Sequence, residues 1–143
     1  MELRPSLASD LDWIVELRVD VLRPDLERLG RFDPIRVRDR MRSAFRADAT
    51  RVIVVDGADV GSIAVRAEPD ARWIEHFYLA SEAQNAGVGS AVLREVLAEE
   101  GTLPFRLNVL QGSPARRLYE RFGFAAYAED EIDVFMMRGP ASA

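Results

Sequence analysis

The residues best placed to do chemistry lie in one stretch, Trp73-Ile-Glu-His-Phe-Tyr-Leu-Ala-Ser-Glu-Ala-Gln-Asn-Ala-Gly-Val-Gly-Ser90. An apolar run enters the loop Gln84-Asn-Ala-Gly87-Val-Gly89, and helical spacing begins at once. Glycines at the start of a helix let a ligand approach the backbone closely. The first N–H groups of a helix have no internal partner, and the helix dipole adds positive potential there. The result is an anion site suited to a pyrophosphate. Gly87 and Gly89 could equally serve only a tight turn and close packing, and local sequence leaves both readings open. Upstream, Glu75 and His76 are adjacent on the strand that feeds the loop. Successive strand residues point to opposite faces, so only one of the two is expected to face a substrate.

Rival chemistries fit poorly. A P-loop needs Gly-Lys-Ser/Thr, and all 19 basic residues are arginines. A dinucleotide fingerprint needs a third glycine where Val92 stands. With no cysteine and one histidine, disulfides, a cysteine nucleophile and a zinc centre are not expected, and no metal site is assigned. No Gly-x-Ser-x-Gly elbow occurs, and a histidine-dependent triad could use only His76. The acidic segment from Glu129 to Asp133 lacks EF-hand spacing and reads as a solvated turn. The arginines at 36, 38, 40 and 42 read as an exposed helix face.

The elements that must position the glycine loop follow from periodicity and punctuation. Residues 2–4 read as a strand before Pro5. A helix capped by Ser9 or Asp10 follows and ends, or restarts, at Pro24. Asp33-Pro34 opens a second helix to about Ala47. Strands are expected over 51–56, 60–66 and 72–79 as a meander. A helix spans 87–100 and stops at Gly101. A strand over 103–110 precedes a helix opened by Ser113-Pro114 and ended by Gly123, and strands over 124–127 and 132–137 close the chain. This is an α/β domain built on one mixed sheet. The chain of 143 residues is long enough for one unstapled core over residues 1–138, with a frayed tail at 139–143.

The net charge of −5 argues against nucleic acid as a partner and is compatible with a cationic substrate. No apolar run approaches the roughly 20 residues of a membrane span, and the first residues lack signal-peptide character. A cytoplasmic protein without a membrane partner is the expectation.

A second segment, Asn108-Val-Leu-Gln-Gly-Ser-Pro-Ala-Arg-Arg-Leu-Tyr-Glu-Arg-Phe-Gly-Phe124, completes a recognisable pair. Gln84-Asn-Ala-Gly87-Val-Gly89 resembles the Q/R-x-x-G-x-G/A loop of the GNAT superfamily of N-acetyltransferases. Ala115-Arg-Arg-Leu-Tyr119-Glu-Arg-Phe-Gly123-Phe124 is similar to that family's A-x-x-L-Y-x-x-x-G-F helix. The element order matches the GNAT fold along nearly the whole chain. Departures stand at Ala86, where many relatives carry Lys or Arg, and at Gly112-Ser113, where many carry Asn.

The resemblance implies a mainly antiparallel sheet with a splayed parallel strand pair, and acetyl-CoA as co-substrate. The pyrophosphate would sit on the amides of Asn85, Ala86, Gly87, Val88, Gly89 and Ser90, with Gln84 opening the loop. The pantetheine arm would pair with backbone near Phe77, Tyr78 and Leu79, and Ser113 would offer a polar contact. Tyr119 would lie near the sulfur and protonate the departing thiolate, although its spacing alone favours the apolar stripe of its helix. Glu75 would be the base or amine-binding group, with His76 the weaker candidate. The acceptor would be a small-molecule or peptide amine, selected by the segment around 22–46 and the strand carrying Glu75. A homodimer is compatible with the family. The alternative is an acyl-CoA-binding sensor or interaction domain without turnover.

Overall fold

A computed structural model describes residues 1–139; the segment 140–143, most of the tail expected to fray, lies outside the described residues. The chain forms β1 (Glu2–Pro5), α1 (Leu11–Arg28), α2 (Pro34–Ala44), β2 (Thr50–Val55), β3 (Ala58–Ala67) and β4 (Arg72–Leu79). It continues through α3 (Val88–Leu97), β5 (Phe105–Leu110), α4 (Ala115–Arg121), β6 (Ala125–Glu129) and β7 (Asp133–Arg138). One seven-stranded sheet runs β1-β2-β3-β4-β5-β7-β6. Every neighbouring pair is antiparallel except β4 and β5. Among the described residues no helix is long and apolar enough to cross a membrane.

Each face of the sheet has its own core. Val88, Val92, Leu93, Val96 and Leu97 of α3, with Tyr119 of α4, pack on Ile74, Phe105, Leu107, Val109, Val134 and Met136. Ile14 and Val15 of α1 and Met41 of α2 pack on Tyr78 at the opposite face. Periodic burial of this kind is what an amphipathic helix gains by docking.

Helix bounds differ from expectation where side chains recruit the ends. Pro24 lies inside α1, which runs on to Arg28. Proline forfeits a single bond, that to the carbonyl four residues back. The turns beyond it are held by Arg23–Glu27 and Arg28–Asp25 ion pairs, and by Arg28 donating to the Gln111 carbonyl at 2.7 Å. The second helix stops at Ala44, because Phe45 is extended and packs on the α1 cluster. The third stops at Leu97, before Gly101: Arg72 takes the Glu99 carbonyl at 3.3 Å and the Leu103 carbonyl at 2.7 Å, drawing the following segment toward β4. The arginine face of α2 also reaches α1, through Arg38–Glu16 and Arg42–Asp12 pairs.

Two irregularities interrupt the meander, one between β2 and β3 at Val60 and one between β3 and β4 that bears on the site; sequence patterning revealed neither. Ser62 pairs with Tyr78 and Ala64 with Glu75, so His76 and Phe77 together oppose Ile63. This is a β-bulge, with His76 in the left-handed region at φ 50°. The His76 carbonyl accepts a hydrogen bond from Ser62 Oγ at 2.8 Å, and Ser62 is wholly buried. One inserted residue reverses the alternation beyond it. Ile74, Phe77 and Leu79 therefore pack toward α3, while Tyr78 joins the α1 cluster. Glu75 and His76, expected on opposite faces, come together, with Oε2 and Nε2 3.7 Å apart.

Asp10 occupies the N-cap position of α1 but turns its carboxylate back toward β1. It accepts from Arg4 at 2.9 Å, from the Leu7 N–H at 2.8 Å and from Trp13 Nε1 at 2.9 Å. The Arg4 hydrogen bond, above all, holds its carboxyl at about 2 against an ordinary 3.8. The ionised form is thus favoured in the folded chain, and unfolding takes up a proton as pH falls. Stability from this group is complete above pH 4 and is lost as pH drops toward 2, a difference of about 2 kcal/mol. Asp10→Asn should lose a similar amount at neutral pH and show a flatter acid limb in urea titrations between pH 4 and 2.

Candidate functional site

The site begins where β4 and β5 part. Their parallel pairing covers only Arg72 with Phe105 and Trp73 with Arg106. Arg72 fixes this closed end, its guanidinium 3.7 Å from the centre of the Phe105 ring. Among the described residues, the edge of β4 facing β5 has no strand partner beyond Trp73. The Ala80 N–H donates to the Val60 carbonyl on β3 at 2.8 Å. By alternation, Leu79 directs its own N–H and C=O to the other edge, into the opening. Its carbonyl there accepts from the Gln84 side-chain amide at 2.9 Å. Tyr78, by the same alternation, turns its backbone to β3 and its ring to α1.

The glycine loop continues from that strand end. A 3₁₀ turn over Ser81–Ala83 leads through Gln84 to Asn85 at φ 62° and Gly87 at φ 80°. Gly87 is the N-cap of α3, and no side chain caps the helix. Its left-handed conformation suits glycine, and a Cβ built there would meet nothing within 4 Å, so the space above it is open. Gly89 has a packing role: a Cβ would stand 3.2 Å from Leu118 Cδ2 and 3.6 Å from Leu79 Cδ1. A left-handed turn at Gly87 and close packing at Gly89 account for the two glycines, and the open space at Gly87 leaves the mouth of α3 accessible. Val88 is buried in the core and can offer a ligand only its amide. Asn85 and Ala86 are exposed and Ser90 is half-buried. The Gln84 side chain braces the loop against β4.

Tyr119 rises from α4 into the same region. Its ring lies edge-on to Phe124 at 5.8 Å and tilted against Phe77 at 6.5 Å. It is 8 % exposed, and its hydroxyl makes no hydrogen bond among the described residues. Burial, with a smaller contribution from Tyr78, pushes the phenol well above its ordinary value, so it stays protonated. Ser113 stands just ahead of α4, its Oγ accepting from the Ala115 N–H at 3.2 Å.

On the α1 side, the bulge gathers polar groups. Arg18 Nη1 donates to Tyr78 Oη at 3.0 Å and approaches His76 Nδ1 at 3.4 Å. His76 Nδ1 is 3.2 Å from Tyr78 Oη, while its Nε2 is buried without a hydrogen-bond partner among the described residues. Burial first, then the Arg18 charge, lowers the imidazole pKa; Glu75 opposes this. Burial and the Arg18 charge both favour the neutral ring. Glu75 is half-buried and accepts from Arg66 Nε at 2.7 Å. A cleft of about 300 Å³ opens between Leu17, Asp20 and Val21 of α1 and the segment from Leu79 to Gln84. These α1 residues precede the 22–46 segment to which selectivity was assigned. Arg18 and Ser62 had no local sequence signal, since each acts on a strand remote in sequence.

The comparisons with known proteins agree with this geometry. The family model of the acetyltransferase (GNAT) domain matches residues 48–126. No curated protein is significantly similar in sequence. The fold is similar to that of PaiA N-acetyltransferase from Thermoplasma acidophilum in complex with coenzyme A, at 18% identity over 96% of this chain and 98% of that one, with a TM-score of 0.76. It is also similar to an N-acetyltransferase from Staphylococcus aureus, at 16% identity over 96% and 100% of the two chains, with a TM-score of 0.73. A GNAT family acetyltransferase from Elizabethkingia anophelis with acetyl-CoA bound matches at 15% identity over 63% of this chain and 74% of that one, with a TM-score of 0.56. With the splayed strands, the glycine loop and the tyrosine helix in one place, the chain belongs to the GNAT acetyltransferase family, whose co-substrate is acetyl-CoA.

Proposed function

We propose that the protein transfers the acetyl group of acetyl-CoA to a primary amine by direct attack. The observation that carries this reading is the continuity of one open backbone edge. The gap beside Leu79 leads into the uncapped N-terminus of α3, and Tyr119 stands across the same gap. A pantetheine arm is an amide chain that can pair with such an edge, and its diphosphate is an anion suited to the helix mouth.

The chemistry divides among the residues as follows. The amine nitrogen attacks the thioester carbonyl carbon, a tetrahedral intermediate forms, and the carbon–sulfur bond breaks. The Leu79 N–H is placed to donate to the developing oxyanion. Tyr119 keeps its proton until the thiolate leaves and donates it then, which yields free coenzyme A. Glu75 takes a proton from the acceptor's ammonium before attack and passes it to solvent; the second proton, shed by nitrogen as the amide forms, returns through solvent to Tyr119. Protons balance: one N–H is exchanged for one thiol S–H, and one proton is released to solvent.

Tyr119→Phe should lower kcat by about a hundredfold, within the range of a general acid, with the Kd for acetyl-CoA nearly unchanged. Thiol release and calorimetry read the two quantities, and lost affinity with intact turnover would refute the acid role. Glu75→Gln should be slow near neutral pH and recover as pH approaches the acceptor's own pKa of about 10, where the amine is already neutral. A deficit independent of pH would remove Glu75 as the base.

A further inference from the structure

The face of the sheet that carries Glu75 continues past α1 onto β5, β7 and β6. Phe105, Leu107 and Val109 point to the α3 core, so Arg106 and Asn108 point the other way. Val134 and Met136 also belong to that core, which places Phe135 and Met137 beside Arg106 and Asn108. Register puts Trp73, Arg106 and Met137 in one row across β4, β5 and β7. The apolar cluster formed by α1 and α2 includes no residue of β5, β6 or β7. Tyr127 is 47% exposed and Met137 36%.

Arg106 is the unusual group on this surface. Among the described residues it makes no ion pair, whereas Arg66 nearby is occupied by Glu75 and Glu68. Its Nε is buried without an acceptor, and its guanidinium lies 5.4 Å from the centre of the Tyr127 ring. An unsatisfied buried donor on a charged group is costly and calls for an acceptor. Two residues along the strand from Trp73, toward the opening, stands Glu75; such a step spans about 7 Å. Both side chains are long enough to converge on one small molecule.

We propose that Arg106 binds a carboxylate carried by the acceptor, with Trp73 and Tyr127 flanking the acceptor's apolar or planar body, so that the preferred acceptors are amino-acid-like amines. This rests on the transfer reading above, which sets the amine at Glu75. A planar guanidinium offers a carboxylate two parallel donors, which a decarboxylated amine cannot use.

Matched pairs test it: tryptophan against tryptamine, and phenylalanine against phenethylamine. Turnover is read by thiol release, and binding by calorimetry on coenzyme A-saturated protein. The carboxylated member should lead by at least tenfold in kcat/KM and in affinity. Arg106→Gln should abolish that lead while leaving the KM for acetyl-CoA and the melting temperature unchanged, and Arg106→Lys should keep part of it. Equal or better binding of the decarboxylated member, or a lead that survives in Arg106→Gln, overturns the proposal. Preferential binding without thiol release would uphold the Arg106 site and remove the transfer reading, so the two fail separately.

Discussion

The structure depends on one constraint: β4 and β5 must pair at one end and must not pair at the other. A parallel pair held over two residues and then released leaves backbone donors and acceptors of β4 without a strand partner. Peptide groups enclosed by protein are costly when unmatched, so such an edge calls for water or a ligand chain of amides. Arg72 braces the closed end by donating to the Leu103 carbonyl and covering the Phe105 ring. Gly89 lets Leu118 and Leu79 approach at the open end, which brings the mouth of α3 against the end of the unpaired edge. The opening and the position of the α3 mouth are thus two consequences of one departure from sheet regularity.

The bulge at His76 is the second departure, and it brings Glu75 and His76 together on one side of the strand. Without it, Glu75 and His76 would lie on opposite faces, and the parity of Phe77 and Leu79 would be reversed. The extra residue costs a non-glycine left-handed conformation and a displaced carbonyl. Ser62 satisfies the carbonyl, and Arg18 reaches from α1 to fasten Tyr78 beside the imidazole. A close approach of β3 and β4 is also enforced at Gly61, where a Cβ would stand 2.2 Å from the Tyr78 carbonyl oxygen.

Legibility in the sequence followed the range of the interactions. The glycine loop, the tyrosine helix and the order of strands were readable because they depend on local periodicity and on glycine. Strand β4 matched its expected bounds, and β1 to β3 came within a residue or two of theirs. What escaped reading was long-range. Pro24 forfeits one hydrogen bond, and the turns after it are secured partly by a carbonyl of Gln111. The end of α3 is set by Arg72, a residue of another element. The bulge depends on Ser62 across a hairpin, and an alternation rule applied along β4 could not detect an inserted residue. The cleft beside the end of β4 likewise draws on Leu17, Asp20 and Val21, which local spacing marked only as part of an amphipathic helix.

Residue-resolved amide NMR during titration with acetyl-CoA addresses the central claim most directly. The account predicts saturable shifts at the Leu79 amide and at the amides of Val88, Gly89 and Ser90. Acetyl-pantetheine, which lacks the diphosphate, should move Leu79 and leave the other three nearly still. Saturation by acetyl-CoA with Val88 to Ser90 unmoved would contradict it.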